Sequence, residues 1–281
     1  MILLLSYIFL GIVVGFMGGL FGIGGGVFIV PFLYFVFNFL DFSPNFQIHL
    51  AVGTSLASII ITSCASTYFH NIKDGIRWDF FQKMVLGIAI GALFGATVSI
   101  KIPETSLKLA LVVFYLTIAI SIFCTSSFKL INAMVTGSVV TSIYGFFSGV
   151  CSSLLGIGGG SLTVPYFNAI GFKMAQSIGT ASACGIPIAL SGTLGFIIAG
   201  WGTTSLPNYS LGFVYLPAFF GISFGTLISV QYGVSVAHSL DDKILKMLFA
   251  LFLFGASTVS YTHLRAHETR HDLVCRLLLE K

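Results

Sequence analysis

The sequence predicts an all-α integral membrane protein with about eight transmembrane helices in two homologous halves. Each half carries a glycine-rich broken or re-entrant segment. Three observations carry this. The chain is 56% hydrophobic and 8% charged, with mean hydropathy +1.01, whereas a soluble domain carries roughly 25% charge. Its apolar segments are long enough to cross a bilayer. And one unusual stretch, Phe21-Gly-Ile-Gly-Gly-Gly-Val-Phe-Ile-Val-Pro31, returns 134 positions later as Leu155-Gly-Ile-Gly-Gly-Gly-Ser-Leu-Thr-Val-Pro165. Glycine- and proline-interrupted apolar segments at matching positions in two halves point to a transporter's binding site.

The charge deficit is concentrated. Of 22 charged residues (13 Lys or Arg, 9 Asp or Glu), 7 lie in residues 261–281, leaving 15 for the first 260. So few charges cannot cover a water-facing surface, and a helical membrane protein is the class that fits. The net charge of +4 is scattered, without a basic stripe, so nucleic acid is not an expected partner. Cys64, Cys124, Cys151, Cys184 and Cys275 show no paired spacing, and four lie in apolar runs. Neither disulfides nor a metal or other cofactor is expected.

In chain order, the first segment, 2–19, has no basic leader and no small-residue cleavage pattern, so it is expected to be a retained membrane helix. Apolar segments follow at 27–40, 48–69, 80–100 and 106–124. After a polar joint at Ser126–Lys129 they resume at 131–154, 161–172, 175–200, 210–232 and 243–260. A span needs about 20 apolar residues, so eight qualify. The two that follow the glycine runs, 27–40 and 161–172, are short and fit half-helices or re-entrant segments. The halves are expected at 1–127 and 128–260, because echoes extend beyond the glycine run. Val52-Gly-Thr54 recurs as Ile178-Gly-Thr180, and Gly91-Ala-Leu-Phe-Gly95 as Gly221-Ile-Ser-Phe-Gly225.

Basic residues in successive loops follow no consistent sign, so the positive-inside rule leaves both orientation and the parallel or inverted relation of the halves open. Trp78 and Trp201, at segment ends, read as interfacial anchors. Residues 261–281 switch to Arg, His and Glu and resemble translated adaptor sequence. They are set apart from the fold, although His263, His267 and His271 recur every fourth position.

Four glycines in five positions cannot continue a helix cheaply, since each costs about 1 kcal/mol relative to alanine. They can adopt left-handed conformations or admit close backbone approach. In lipid such backbone is tolerated only inside protein or against a cavity. Consecutive free amides there form an anion-binding nest, reinforced by the dipole of the helix that follows. The predicted substrate site is therefore Gly22, Gly24, Gly25 and Gly26 with Pro31, facing Gly156, Gly158, Gly159 and Gly160 with Pro165. The prolines would kink the short helices or free a carbonyl. The competing reading is tight helix packing. A soluble dinucleotide turn is excluded, because no strand precedes either run.

Thr54, Ser55 and Ser58, with Thr180, Ser182 and Gly179, form a second candidate lining, against the alternative that these hydroxyls bond to their own helix carbonyls or pack small interfaces. Asn71 and Gln176 could donate amide hydrogens. His49 and His70 fall at helix ends and read as solvated. No Asp, Glu, Lys or Arg falls mid-span, so proton or sodium coupling has no visible residue. An anion would be met by backbone amides and helix dipoles. An intramembrane enzyme is not expected, for the spans hold no Ser/His pair, Glu-x-x-His or paired aspartates.

Gly-Ile-Gly-Gly-Gly followed five residues later by Pro, twice, with Val52-Gly-Thr-Ser55 after the first copy and Ile178-Gly-Thr-Ala181 after the second, resembles the sulfite exporter TauE/SafE family. This is a group of bacterial and archaeal membrane permeases, and the resemblance covers about residues 5–258. It implies about eight membrane helices, residence in the inner membrane, and export or import of small sulfur-containing anions such as sulfite, sulfoacetate and related organosulfonates. A non-transporting accessory subunit and an anion channel remain the alternatives.

Overall fold

The computed structural model describes residues 2–103, 106–107, 110, 113, 137–203 and 206–255. The predicted span 106–124 lies largely outside these residues. So do Ser126–Lys129, Cys124, and the tail with Cys275. Nine helices are described: α1 (Ile2–Phe21), α2 (Gly26–Phe39), α3 (Gln47–Ile72), α4 (Trp78–Ser99), α5 (Ser138–Leu155), α6 (Gly160–Ala169), α7 (Met174–Gly200), α8 (Leu216–Ser239) and α9 (242–255). Six of them, all but α2, α6 and α9, are long and apolar enough to cross a membrane. The protein is a multi-pass, mostly helical membrane protein.

One expected span is corrected. Residues 210–232 do not form a single helix. Ser210–Leu211 (β1) and Val214–Tyr215 (β2) make a two-residue antiparallel hairpin, and the helix starts at Leu216 and runs on to Ser239. Gly212, at φ 54°, turns the hairpin, and Pro217 in the first turn of α8 cannot donate to the strand ladder but suits a helix start.

α3 and α7 are central. They bury 78% and 61% of their most apolar windows, against 39–44% for the other four spans. The outer helices turn large apolar side chains outward, as with Leu86, Ile90 and Phe94 on α4 and Phe220, Phe224 and Leu227 on α8. Such surface suits lipid and would be a liability in water.

Small residues set the directions in which the helices run. On α1, Gly11, Gly15 and Gly19 lie against Ile222, Thr226 and Val230 of α8, so these two helices run the same way. Gly87, Gly91 and Gly95 of α4 lie against Ser142, Phe146 and Val150 of α5, again in parallel. At these glycines a Cβ would stand closer than 3.0 Å to a backbone atom of the neighbour, which is the close approach that small residues at four-residue spacing allow. α3 and α7 instead run antiparallel. Ser66 meets Ser182 at 3.0 Å, and Leu56 packs at Gly192.

α7 starts where the Met174 amide donates to the Asp242 carboxylate, and Asp242 also pairs with Lys246 at 3.2 Å. A carboxylate on a first-turn amide contributes about 1 kcal/mol, while an exposed i,i+4 pair adds little. Asp242→Ala should therefore lower the thermal melting point in detergent measurably, and Lys246→Ala should leave it within error.

Candidate functional site

The glycine runs lie between α1 and α2 and between α5 and α6. α2 runs from its run back to the end at which α1 starts: Phe37 and Phe42 pack on Tyr215, the residue before α8, and Tyr7 of α1 packs at Gly221 in the first turns of α8. α6 likewise returns to the start of α5. There Tyr166 stacks on Tyr144 with ring centroids 4.2 Å apart, and its hydroxyl lies 3.3 Å from that of Thr141. Since α3 and α8 run from the first end to the other, the two helix pairs enter the bundle from opposite ends. Their glycine turns meet inside it.

The meeting is backbone against backbone. A Cβ on Gly26 would strike the carbonyl of Gly156, and one on Gly160 the carbonyl of Gly22. A Cβ on Gly158 would strike the carbonyl of Ile23. All seven of Gly22, Gly24, Gly25, Gly26, Gly156, Gly158 and Gly160 touch something that leaves no room for a methyl, and Gly159 is closed off by Ile188. The packing expected of membrane glycines is thus present at every position of both runs.

The two runs differ in conformation despite their shared sequence. Gly22, Gly24 and Gly25 are left-handed (φ 70°, 69° and 79°), whereas in the second run only Gly156 is (φ 68°) and Gly159 is right-handed helical at φ −57°. One sequence motif here supports two backbone paths, because glycine has no Cβ to choose between them. Both paths leave amides free. Among the described residues, no acceptor meets the amides of Ile23, Gly24 and Gly25, or those of Gly158, Gly159 and Gly160. α2 and α6 thus begin with bare, buried N-termini facing each other, which concentrates positive potential between them. The Ser161 hydroxyl, wholly buried beside the second turn, also has no partner among the described residues. Sequence reasoning missed Ser161, since its counterpart Val27 offered no matched pair.

Pro31 and Pro165 lie within α2 and α6, which run on through them. A third intrahelical proline, Pro187, lies within α7.

The paired threonines do something other than line a cavity. Thr54 donates to its own helix at the Leu50 carbonyl (2.6 Å) and accepts the Tyr215 amide at 2.8 Å. Thr180 donates to the Gln176 carbonyl (2.7 Å) and accepts the Arg77 amide at 3.0 Å. Tyr215 and Arg77 immediately precede α8 and α4. The glycine before each threonine completes the seat, for Gly53 lies under the Phe213 carbonyl and Gly179 under the Gly75 carbonyl. Gly-Thr is therefore a fastener that seats the chain just before a later helix, once in each part of the molecule. Ser55 and Ser182 stay closer to the turns. Ser55 donates to the Gly156 carbonyl at 2.7 Å, and Ser182 bonds Ser66 and lies against Gly22.

Other expectations are corrected. His49 and His70 are not solvated. They are 5% and 0% exposed, with His49 Nε2 3.2 Å from the Ser99 carbonyl. Asn71 accepts the Trp78 indole N–H at 2.9 Å at the exposed rim. Trp78 and Trp201 are both exposed at helix ends. Along α3 a buried polar stripe recurs every fourth residue: Thr54, Ser58, Thr62, Ser66 and His70. The spacing was legible, but in so apolar a chain a polar face signals the protein interior and not solvent.

Compared with known proteins, residues 7–259 match the family model described as Sulfite exporter TauE/SafE. The chain is 33% identical over 212 residues to a probable membrane transporter protein of Haemophilus influenzae, covering 72% of this chain and 77% of the relative. A probable membrane transporter protein of Bacillus subtilis is 26% identical, over 74% of this chain and 82% of its own. One from Methanocaldococcus jannaschii is 25% identical, over 73% and 76%. No solved structure matches the chain significantly.

Proposed function

The chain belongs to the sulfite exporter TauE/SafE family, and from that premise we propose that it is a permease for small anions, sulfur oxyanions or organosulfonates of the sulfite type. The anion binds between the two glycine turns. One observation carries this reading: among the described residues, consecutive buried amides on both turns, at facing helix N-termini, have no acceptor. Oxyanions are met by such groups without any buried cation, and no Lys or Arg lies in the turns or in the short helices. A site held by amides alone binds weakly enough to release its cargo. The turns touch in this conformation, so the anion would enter as they part.

We further propose that residues 1–127 and 128–260 are inverted repeats. The support is directional. α1 and α2 enter from one end and α5 and α6 from the other, α3 runs against α7, and α1 packs on α8 as α5 packs on α4. Alternating access in such folds moves one repeat against the other about a fixed midplane site.

The test is flux of radiolabelled sulfite, thiosulfate and a simple sulfonate in proteoliposomes, comparing the wild type with Ser161→Ala. Removing an unpaired buried hydroxyl leaves no orphan behind, so melting should be unchanged. A lost hydrogen bond to a charged ligand contributes roughly 1.5–3 kcal/mol, so KM for the transported anion should rise about tenfold or more. Unchanged kinetics in Ser161→Ala would remove the site from the turns. Absence of flux for every anion would overturn the permease reading and favour an accessory subunit, and flux that never saturates would indicate a channel.

A further inference from the structure

At the end of the bundle where α3 and α8 finish, two histidines are in contact. His70 Nδ1 lies 2.9 Å from His238 Nε2, with ring centroids 5.0 Å apart. His70 is fully buried and His238 half-buried. The other nitrogen of His70, Nε2, lies 3.0 Å from the Gly19 carbonyl. A carbonyl can only accept, so His70 carries its hydrogen on Nε2. In the neutral pair its Nδ1 is then the acceptor, and His238 donates from Nε2. That leaves His238 Nδ1 as the nitrogen able to take a proton from outside.

The bond to Gly19 reaches directly into the glycine turn. Continued helix would give that carbonyl to the Ile23 amide. Instead His70 holds it, and the Ile23 amide is one of the free donors described above. One turn earlier on α3, Ser66 bonds Ser182, which lies against Gly22. The pair and the turn thus share two adjacent attachments.

We propose that His238 and His70 form the proton site of the transport cycle, loading a proton at His238 and delivering its charge to the end of α1. A proton binds His238 Nδ1, and the Nε2 proton of His238 passes to His70 Nδ1. His70 is then an imidazolium donating from Nε2 to Gly19 and from Nδ1 to His238, whose Nε2 has become the acceptor. One proton enters, one moves, and the pair gains one positive charge. That charge strengthens the hydrogen bond at the last turn of α1 and adds positive potential close to the bare amides. Loading a proton and binding an anion therefore favour each other, which is the coupling a symporter needs.

Among the described residues no carboxylate within the bundle acts on the pair, and Asp241, just past the end of α8, is exposed. α1 and α7 contribute backbone, at Gly19 and Gly179. The loop after α3 lays Gly75 over the His238 ring, while Lys73 in that loop is the cation whose field reaches both rings and Asp74 beside it is exposed. The proton must be held by the two rings and the carbonyl.

This inference rests on the transport reading for its second arm only. The first arm is a pH titration of 15N-histidine signals in nanodiscs. Both rings should respond to one shared protonation step, and His238→Gln should abolish the step at His70. No protonation of either ring across the pH range in which the protein stays folded overturns the proposal. The second arm is sulfite flux into proteoliposomes with and without an imposed pH gradient. Wild-type flux should rise several-fold with the gradient. In His238→Gln, and in His70→Gln, which keeps a donor for Gly19, flux should fall and cease to respond. Gradient stimulation that survives in folded variants overturns the coupling while leaving the permease standing. If the wild type carries no sulfite, the permease reading fails for that anion and the titration alone decides the proton site.

Discussion

Gly26→Ala and Gly160→Ala should each destabilise the protein by about 3 kcal/mol or prevent folding. The sign is the informative part. Each glycine is the first residue of a helix, where intrinsic propensity favours alanine by roughly 1 kcal/mol, so an isolated helix would gain from the change. In the bundle, the new methyl meets the facing turn's backbone: the Gly156 carbonyl for Gly26 and the Gly22 carbonyl for Gly160. Overpacking costs about 1–3 kcal/mol where side chains can adjust, and here the obstacle is main chain that belongs to the other break. Melting in detergent and monodispersity on size exclusion would check this. Stabilisation at Gly26 or Gly160 would show that the turns stand apart.

The second large effect is expected at the Gly-Thr fasteners. Gly179→Ala drives a methyl into the Gly75 carbonyl, and Gly53→Ala drives one into the Phe213 carbonyl, so both should unseat the chain before α4 or α8 at a cost of about 2–3 kcal/mol. Thr180→Val and Thr54→Val keep the shape but strand the Arg77 or Tyr215 amide, and should cost about 1–2 kcal/mol each. Serine at either position keeps the hydroxyl and should recover most of the loss. Because Gly179 and Thr180 hold one and the same loop, their combined effect should fall short of the sum, and a double-mutant cycle on melting free energies measures the shortfall. Additive losses would mean that the two residues do not share a seat.

Among these positions, the sequence pointed to the glycine runs and the Gly-Thr pairs as places where ordinary helix rules fail, and could not say what they touch. Ser161 shows the limit from the other side. A lone serine in a short apolar helix has no distinguishing pattern, and only its burial without a partner among the described residues sets it apart. The environment of His70 is hidden from the sequence for a related reason. A histidine near a helix end is solvated when the end is at the surface, but here α1, α8 and the loop at Gly75 close over it.

The sequence by itself determined the membrane class, the doubled glycine motif and the scarcity of charge within the apolar segments. Those follow from transfer free energy and glycine's backbone freedom, which act residue by residue along one strand of chain. Tertiary structure alone decided that the two breaks touch, that identical motifs follow different backbone paths, that the paired threonines seat the chain ahead of α4 and α8, and that two histidines 168 positions apart share a hydrogen bond. Each of these is a contact between distant segments. Its energy depends on which surfaces the packed helices bring within a few ångströms, and no periodicity within a single helix records that.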